Sequence, residues 1–362
     1  MKEMLALLET TPKHGGDVYQ LARTLGLDLS QLLDFSANIN PLGFPPGILG
    51  AIQAALPEIV HYPDRRGQKL RQELAAYHGL GKAQILVGNG STELIYLMAR
   101  ALSPRKALIV APAFSEYEQA LEAAQAPVAF QVTAEADNFT LSGPLDSQGA
   151  DLVFLANPAS PSGALLAPGL LLETVAQLEA TGVYLLLDEA FVDFVEEASL
   201  KEQLAQFSHL MLLRSFTKFF AIPGLRLGYL LAAPELIRRL AAVQEPWSVN
   251  TLAQAAGRAC LQDRDYLARS RVLIRQEREF LLAGLQSLPG LQPFPSEVNY
   301  LLVKITRPDW TAASLRTALL SEKLVIRDAS NFRGLEARFF RLAVRRREEN
   351  QRLLEALRHF LT

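Results

Sequence analysis

The chain has a single cysteine, Cys260, among its 362 residues. One cysteine excludes an internal disulfide, and no Cys/His group has the spacing of a metal site. Long apolar runs are missing too: none reaches the ~18 residues a membrane-crossing helix needs. Charge of one sign is not in excess. Lys and Arg number 36 against 38 Asp and Glu, for a net charge of −2, which argues against a nucleic-acid or membrane-surface partner. The one basic stretch, "RLAVRRREEN" (341–350), carries its own acids and reads as the solvated start of a last helix. Neither G-x-G-x-x-G nor G-x-x-x-x-G-K-[ST] occurs, which disfavours nucleotide enzymes. There is no internal repeat. "MKEMLALLETTPKHGG" has neither the apolar segment nor the small-residue cleavage site of a secretory leader. The expectation is a protein of the reducing cytoplasm, with no metal.

What is present is a large apolar fraction, 49% against 20% charged residues, enough for a sizeable core. Strands are expected at 84–88, 106–111, 127–132, 151–157, 183–190, 209–216 and 226–232, with helices at 91–102, 115–124 and 168–181. Several of these strands are apolar throughout rather than alternating, the pattern of a sheet covered by helices on both faces. The fold expected is α/β: a three-layer α/β/α large domain with a mixed, mostly parallel sheet. A smaller α+β domain is expected from both chain ends, with a long charged helix over roughly 261–288 and further strands in "VNYLLVKI", "KLVIRDAS" and "FFRLAV". The division expected is 1–45 for an N-terminal arm and part of the small domain, 46–255 for the large domain and 256–362 for the rest of the small one.

Polar residues fall at the ends of the expected strands, where open α/β sheets bind ligands. Gly90, Ser91 and Thr92 open a helix, and free N–H groups with a positive dipole end suit a phosphate. Ser215 and Thr217 add hydroxyls, and Arg226 a charged fork. Asp188 closes the apolar run "VYLLL", and a carboxylate there needs a cationic partner. Lys218, flanked by Phe216, Phe219 and Phe220, is an amine able to form a Schiff base once desolvated. Phosphate, protonated pyridine and aldehyde together describe pyridoxal 5'-phosphate, bound through the lysine and an acid on the ring nitrogen.

"SFTKFFAIPGLRLGY", "LDEAFVDF", "NPASPSG" and "HYPD" resemble the fold type I pyridoxal-phosphate enzymes of the aspartate-aminotransferase superfamily, over nearly the whole chain. "HGGDVYQLARTLGL" with "LLDFSANINPLGFPPG" resembles the threonine-phosphate decarboxylases of cobalamin biosynthesis, close relatives of the histidinol-phosphate aminotransferases. The resemblance implies that Lys218 carries the cofactor, Asp188 meets its ring nitrogen, Asn157 its ring oxygen, and Phe114 stacks on the ring. Ser91, Thr92, Ser215, Thr217 and Arg226 would hold its phosphate. Tyr62 would reach the cofactor of a neighbouring subunit, implying a homodimer. Arg341 would take the substrate α-carboxylate, and Arg327, with His14 and Asn38, a substrate phosphate. Aminotransferase relatives read D-E-A-Y where Phe191 stands here, and phenylalanine is the decarboxylase branch's residue. The activity implied is decarboxylation of L-threonine O-3-phosphate to (R)-1-aminopropan-2-yl phosphate, with histidinol-phosphate transamination as the alternative.

Overall fold

The computed structural model describes residues 14–361. Residues 1–13, the first part of the expected arm and of the stretch read for a leader, lie outside the described residues, as does Thr362. In chain order the strands are β1 (Leu33–Asp34), β2 (Ile85–Gly88), β3 (Ala107–Ala111), β4 (Val128–Val132), β5 (Leu152–Ala156), β6 (Tyr184–Asp188), β7 (Leu210–Ser215), β8 (Gly228–Ala232), β9 (Leu291–Pro293), β10 (Tyr300–Ile305), β11 (Leu324–Val325), β12 (Arg327–Asp328) and β13 (Phe339–Ala343).

Seven of them form one sheet in the order β2-β8-β7-β6-β5-β3-β4. Both pairings of β8 are antiparallel, and all the others are parallel. Successive side chains leave a strand on opposite faces, and here both faces are buried. Leu185 and Leu187 enter one apolar core, while Leu186 enters the other with Phe154 and Met211. That is why β6 reads as an unbroken apolar run. A second, antiparallel sheet runs β12-β13-β10-β9. The N-terminal arm joins the C-terminal part through β1, which pairs in parallel with β11.

One expectation holds and one is corrected. The long charged helix expected over roughly 261–288 is present as Arg264–Gln286, and a separate helix, Thr251–Gln262, precedes it. Asp263 separates them, because its side chain accepts the Tyr266 N–H at 2.9 Å as an N-cap. "KLVIRDAS" is two short strands rather than one. Leu324–Val325 pairs with the arm and Arg327–Asp328 with β13, on either side of buried Ile326. Among the described residues, no helix is long and apolar enough to cross a membrane.

Candidate active site

A cavity of about 490 Å³ opens at the carboxyl ends of β5, β6 and β7. Twelve of the expected site residues line it: Ser91, Thr92, Phe114, Asp188, Ser215, Thr217, Lys218, Arg226, His14, Asn38, Arg327 and Arg341. Gly90 and Asn157 are not among the lining residues but are bonded to ones that are, Ser91 for the first and Ala156 and Pro158 for the second. Tyr62 is elsewhere, 78% exposed and stacked on Trp247 at 4.5 Å between ring centres.

One end of the cavity is an anion cradle. Gly90 begins the helix Gly90–Leu102 with φ +79°, and a Cβ there would sit 2.8 Å from Arg226 Nη2. Glycine therefore lets the guanidinium close on the helix start, where unpaired N–H groups face outward. The Ser215 and Thr217 hydroxyls, 2.8 Å apart, complete it. Ser215 ends β7 and caps the one-turn helix Phe216–Phe219 that carries Lys218. The phenylalanines around Lys218 are the anchor of that turn: Phe216, Phe219 and Phe220 are all buried. The arm reinforces it, since the Asn40 N–H donates to the Lys218 carbonyl at 3.1 Å and its amide donates to the Phe219 carbonyl at 2.9 Å.

Asp188 sits at the end of β6, with Oδ1 accepting the Ala190 N–H at 2.8 Å and Oδ2 accepting the Tyr117 hydroxyl. Burial pushes its pKa up, opposed by those two hydrogen bonds and by the Lys218 charge. Its neighbour Glu189 points to the other face, where it pairs with the fully buried Arg214 at 2.9 Å. Asn157 Oδ1 accepts the Leu166 N–H at 2.9 Å, and among the described residues its buried Nδ2 has no partner. A buried amide nitrogen in that state is a donor awaiting an acceptor.

Lys218 is a lowered amine, its pKa brought to about 8 by burial first, then by Arg341 and Arg226, against the pull of Asp188. At pH 7 about a tenth is therefore the free base, the nucleophilic form, against far less for an ordinary lysine. The opposite wall holds two arginines. Arg327 and Arg341 are direct cross-strand partners on β12 and β13, so their side chains leave the same face side by side. Arg327 is brought down to about 10, by burial first and then by Arg341. Arg341 lies over the Tyr300 ring at 5.2 Å, and its buried Nε has no hydrogen-bond partner among the described residues.

Several cavity residues escaped the sequence reading. Tyr117 is one. Asn331 and Phe332 are others, touching Arg327 through a 2.8 Å hydrogen bond and a ring contact at 5.3 Å. Glu116 meets His14 at 2.9 Å. "APAFSEY" could have pointed to Tyr117, three residues beyond Phe114 on the helix, but nothing local flags the rest. Phe191 lines the cavity and packs edge-on against Tyr300 at 4.9 Å.

The residues present fit pyridoxal phosphate. The glycine-backed cradle matches its phosphate, Asp188 a protonated ring nitrogen, the orphaned Asn157 amide a ring oxygen, and the lowered Lys218 amine an aldehyde.

The comparisons agree with this fit. Residues 30–357 match the model of the aminotransferase class I and II family. The chain is 40% identical over 354 residues to a threonine-phosphate decarboxylase of Salmonella typhimurium, covering 96% of each chain. Among solved structures, the histidinol-phosphate aminotransferase of Clostridium acetobutylicum superposes with a TM-score of 0.85 at 30% identity, over 91% of this chain and 99% of that one. The L-threonine-O-3-phosphate decarboxylase of Porphyromonas gingivalis superposes with a TM-score of 0.83 at 31% identity, over 90% and 98%. A family-model match over nine-tenths of its length makes this chain a member of the aminotransferase class I and II family.

Proposed function

We propose that the protein is a pyridoxal-phosphate-dependent carboxy-lyase of cobalamin biosynthesis. It converts L-threonine O-3-phosphate into (R)-1-aminopropan-2-yl phosphate and CO2. The observation that carries the reading is the pair Arg327 and Arg341. Like charges directly opposite across two strands cost stability, and Arg341 lowers the Arg327 pKa. A ligand with two anionic ends relieves both, and threonine phosphate brings a carboxylate and a phosphate.

When bound, the cofactor supplies an aldehyde for the substrate amine and a ring that accepts the electron pair left at Cα. The protein's residues do the rest. Lys218 holds the cofactor. Gly90, Ser91, Thr92, Ser215, Thr217 and Arg226 hold its phosphate, Phe114 stacks on its ring, Asn157 donates to its ring oxygen, and Asp188 meets its ring nitrogen. Arg341 binds the α-carboxylate and Arg327, with His14 and Asn38, the substrate phosphate. Arg341 and Arg327 would fix two corners of the substrate, and misplacement of about 1 Å costs large rate factors. As the Cα–carboxylate bond breaks and CO2 departs, Lys218 delivers the replacing proton to Cα as general acid. Phe191, lacking a hydroxyl, withholds a hydrogen bond that the aminotransferases make to the ring oxygen.

The same reading divides the chain at 1–45, 46–255 and 256–362 and makes it a cytoplasmic homodimer. Tyr62 of one subunit then reaches the cofactor phosphate of its partner. Its 78% exposure beside the exposed side chains of Ile59 and Val60 supports this.

The alternative is histidinol-phosphate transamination, favoured by the superposition on the Clostridium acetobutylicum enzyme. A doubly anionic amino donor would also satisfy the two arginines. Purified protein with pyridoxal phosphate and threonine phosphate is expected to release one CO2 per amine formed, with no keto acid added. Consumption of 2-oxoglutarate with histidinol phosphate, and no CO2 from threonine phosphate, overturns the proposal.

A further inference from the structure

Tyr117 lies in the helix Glu116–Ala123 and is 1% exposed. Its ring is packed among aromatics, with Phe154 at 5.1 Å and Phe114 at 5.9 Å between centres. Phenylalanine would fill that space equally well. The hydroxyl needs a separate reason, because a buried O–H without a partner costs free energy. Its partner is Asp188 Oδ2.

From the side of Asp188, the contact has a chemical consequence. Each carboxylate oxygen has one donor, the Ala190 N–H on Oδ1 and the Tyr117 hydroxyl on Oδ2. The two donors come from different elements, the turn after β6 and the helix after β3, so together they fix the carboxylate plane. Hydrogen bonds to the charged form of an acid favour that form, and burial opposes it. The phenol cannot itself be the acid in this pair. Burial and the Asp188 charge hold its pKa well above the usual tyrosine value, so it donates without giving up its proton.

We infer that Tyr117 is a positioning residue whose hydroxyl keeps Asp188 an anion, so that the proton between Asp188 and the cofactor's ring nitrogen stays on the nitrogen. The inference rests on the pyridoxal-phosphate reading but not on the choice between decarboxylase and aminotransferase. It has a direct physical basis. A carboxylate stripped of one donor becomes more basic, and a proton shared with a pyridine moves toward it. A ring nitrogen without its proton is a poorer electron acceptor, so Tyr117 would act on the reaction through Asp188 without touching substrate.

The test is nitrogen NMR of the resting holoenzyme loaded with pyridoxal phosphate labelled with 15N in the ring. In the wild type the signal is expected at the protonated-pyridine position. In Tyr117→Phe it is expected to move toward the neutral-pyridine position, with kcat falling and KM little changed. A structural role alone predicts a lower Tm with the nitrogen signal unmoved, and that result overturns the inference. Should Tyr117→Phe fail to fold, 4-aminophenylalanine introduced at position 117 keeps a weaker donor in place. It is expected to shift the signal in the same direction, and no shift refutes the idea. A wild-type protein that takes up no labelled cofactor rejects the pyridoxal-phosphate reading instead, so the two failures are distinguishable.

Discussion

Gly228→Ala adds one methyl group and is expected to damage cofactor binding selectively. Gly228 begins β8 beside Ser215, its cross-strand partner on β7. A Cβ at this position would lie 2.4 Å from the Ser91 nitrogen and 2.8 Å from the Gly90 carbonyl carbon. Ordinary contact begins near 3.4 Å, so the start of the helix Gly90–Leu102 has to retreat by about 1 Å. The obstacle is backbone, which cannot swing aside as a side chain would. Overpacking of this kind costs about 1–3 kcal/mol. The same displacement opens the cradle in which Gly90, Ser91 and Thr92 would face the cofactor phosphate. With tenfold per 1.4 kcal/mol, the affinity for pyridoxal phosphate should fall by roughly five- to 150-fold. Absorbance titration of cofactor-free protein measures this, with pyridoxal, which lacks the phosphate, as the internal comparison. Pyridoxal binding should change much less. Gly169→Ala is the control: Gly169 sits in the helix Pro168–Ala180, and no atom of the described residues comes within 4 Å of its would-be Cβ. There the same methyl should be neutral or add up to about 1 kcal/mol of stability. Wild-type affinity in Gly228→Ala, or equal losses for both ligands, would refute the reasoning.

The Lys218 amine should set the pH dependence of cofactor capture. Its folded pKa, about 8, lies below the ordinary 10.5, so the neutral, reactive form gains as pH rises through 8. The rate of borohydride-fixable attachment should climb with that midpoint, and a midpoint near 10 would count against it. For the cofactor-free protein the sign is that of a lowered base: this group costs stability in full below pH 8, and the cost disappears as pH rises from about 8 to 10.5. Arg341→Met removes the second-largest cause of the lowering and should move the capture midpoint upward while raising the KM for substrate. Arg214→Ala leaves the buried carboxylates of Glu189 and Asp193 without their cation and should destabilise the fold by about 3–5 kcal/mol in urea unfolding. Mixing Lys218→Ala subunits with Tyr62→Ala subunits should restore about a quarter of wild-type activity if sites are shared across a two-fold axis. Mixed dimers with no recovery would reject the sharing.

The sheet was legible because its strands are short apolar runs with polar ends, and both properties are local. Lys218, Asp188 and the Gly90–Thr92 turn could be found for the same reason: each stands where a strand stops. What local pattern cannot carry is register. Arg327 and Arg341 are fourteen positions apart in a region of short strands, and only the β12–β13 pairing makes them opposite neighbours. The hydrogen bond from Tyr117 to Asp188 spans 71 positions, and no spacing rule connects a helix to the strand end it faces. The long helix Arg264–Gln286 was legible for a local reason as well, its run of charged residues, and Asp263 caps its start.

Asp188, which ends β6, and Glu189, which follows it, show how one sheet separates chemistry from support. Asp188 and Glu189 are adjacent, so strand alternation sends them to opposite faces. Glu189 enters a closed cluster in which Arg214 meets three carboxylates, those of Glu189, Asp193 and Glu196. Asp188 enters a cavity whose other lining charges are mainly cationic, with Lys218, Arg226, Arg327 and Arg341 against Asp188 and Glu116. Had both acids faced the cavity, they would have neutralised the arginines and raised the Lys218 pKa, leaving the amine protonated and the anion sites weak. Facing one acid away keeps the cavity positive, so an anionic cofactor and a doubly anionic substrate supply the missing charge. The electrostatic selectivity of the site thus follows from the two-residue period of a β-strand.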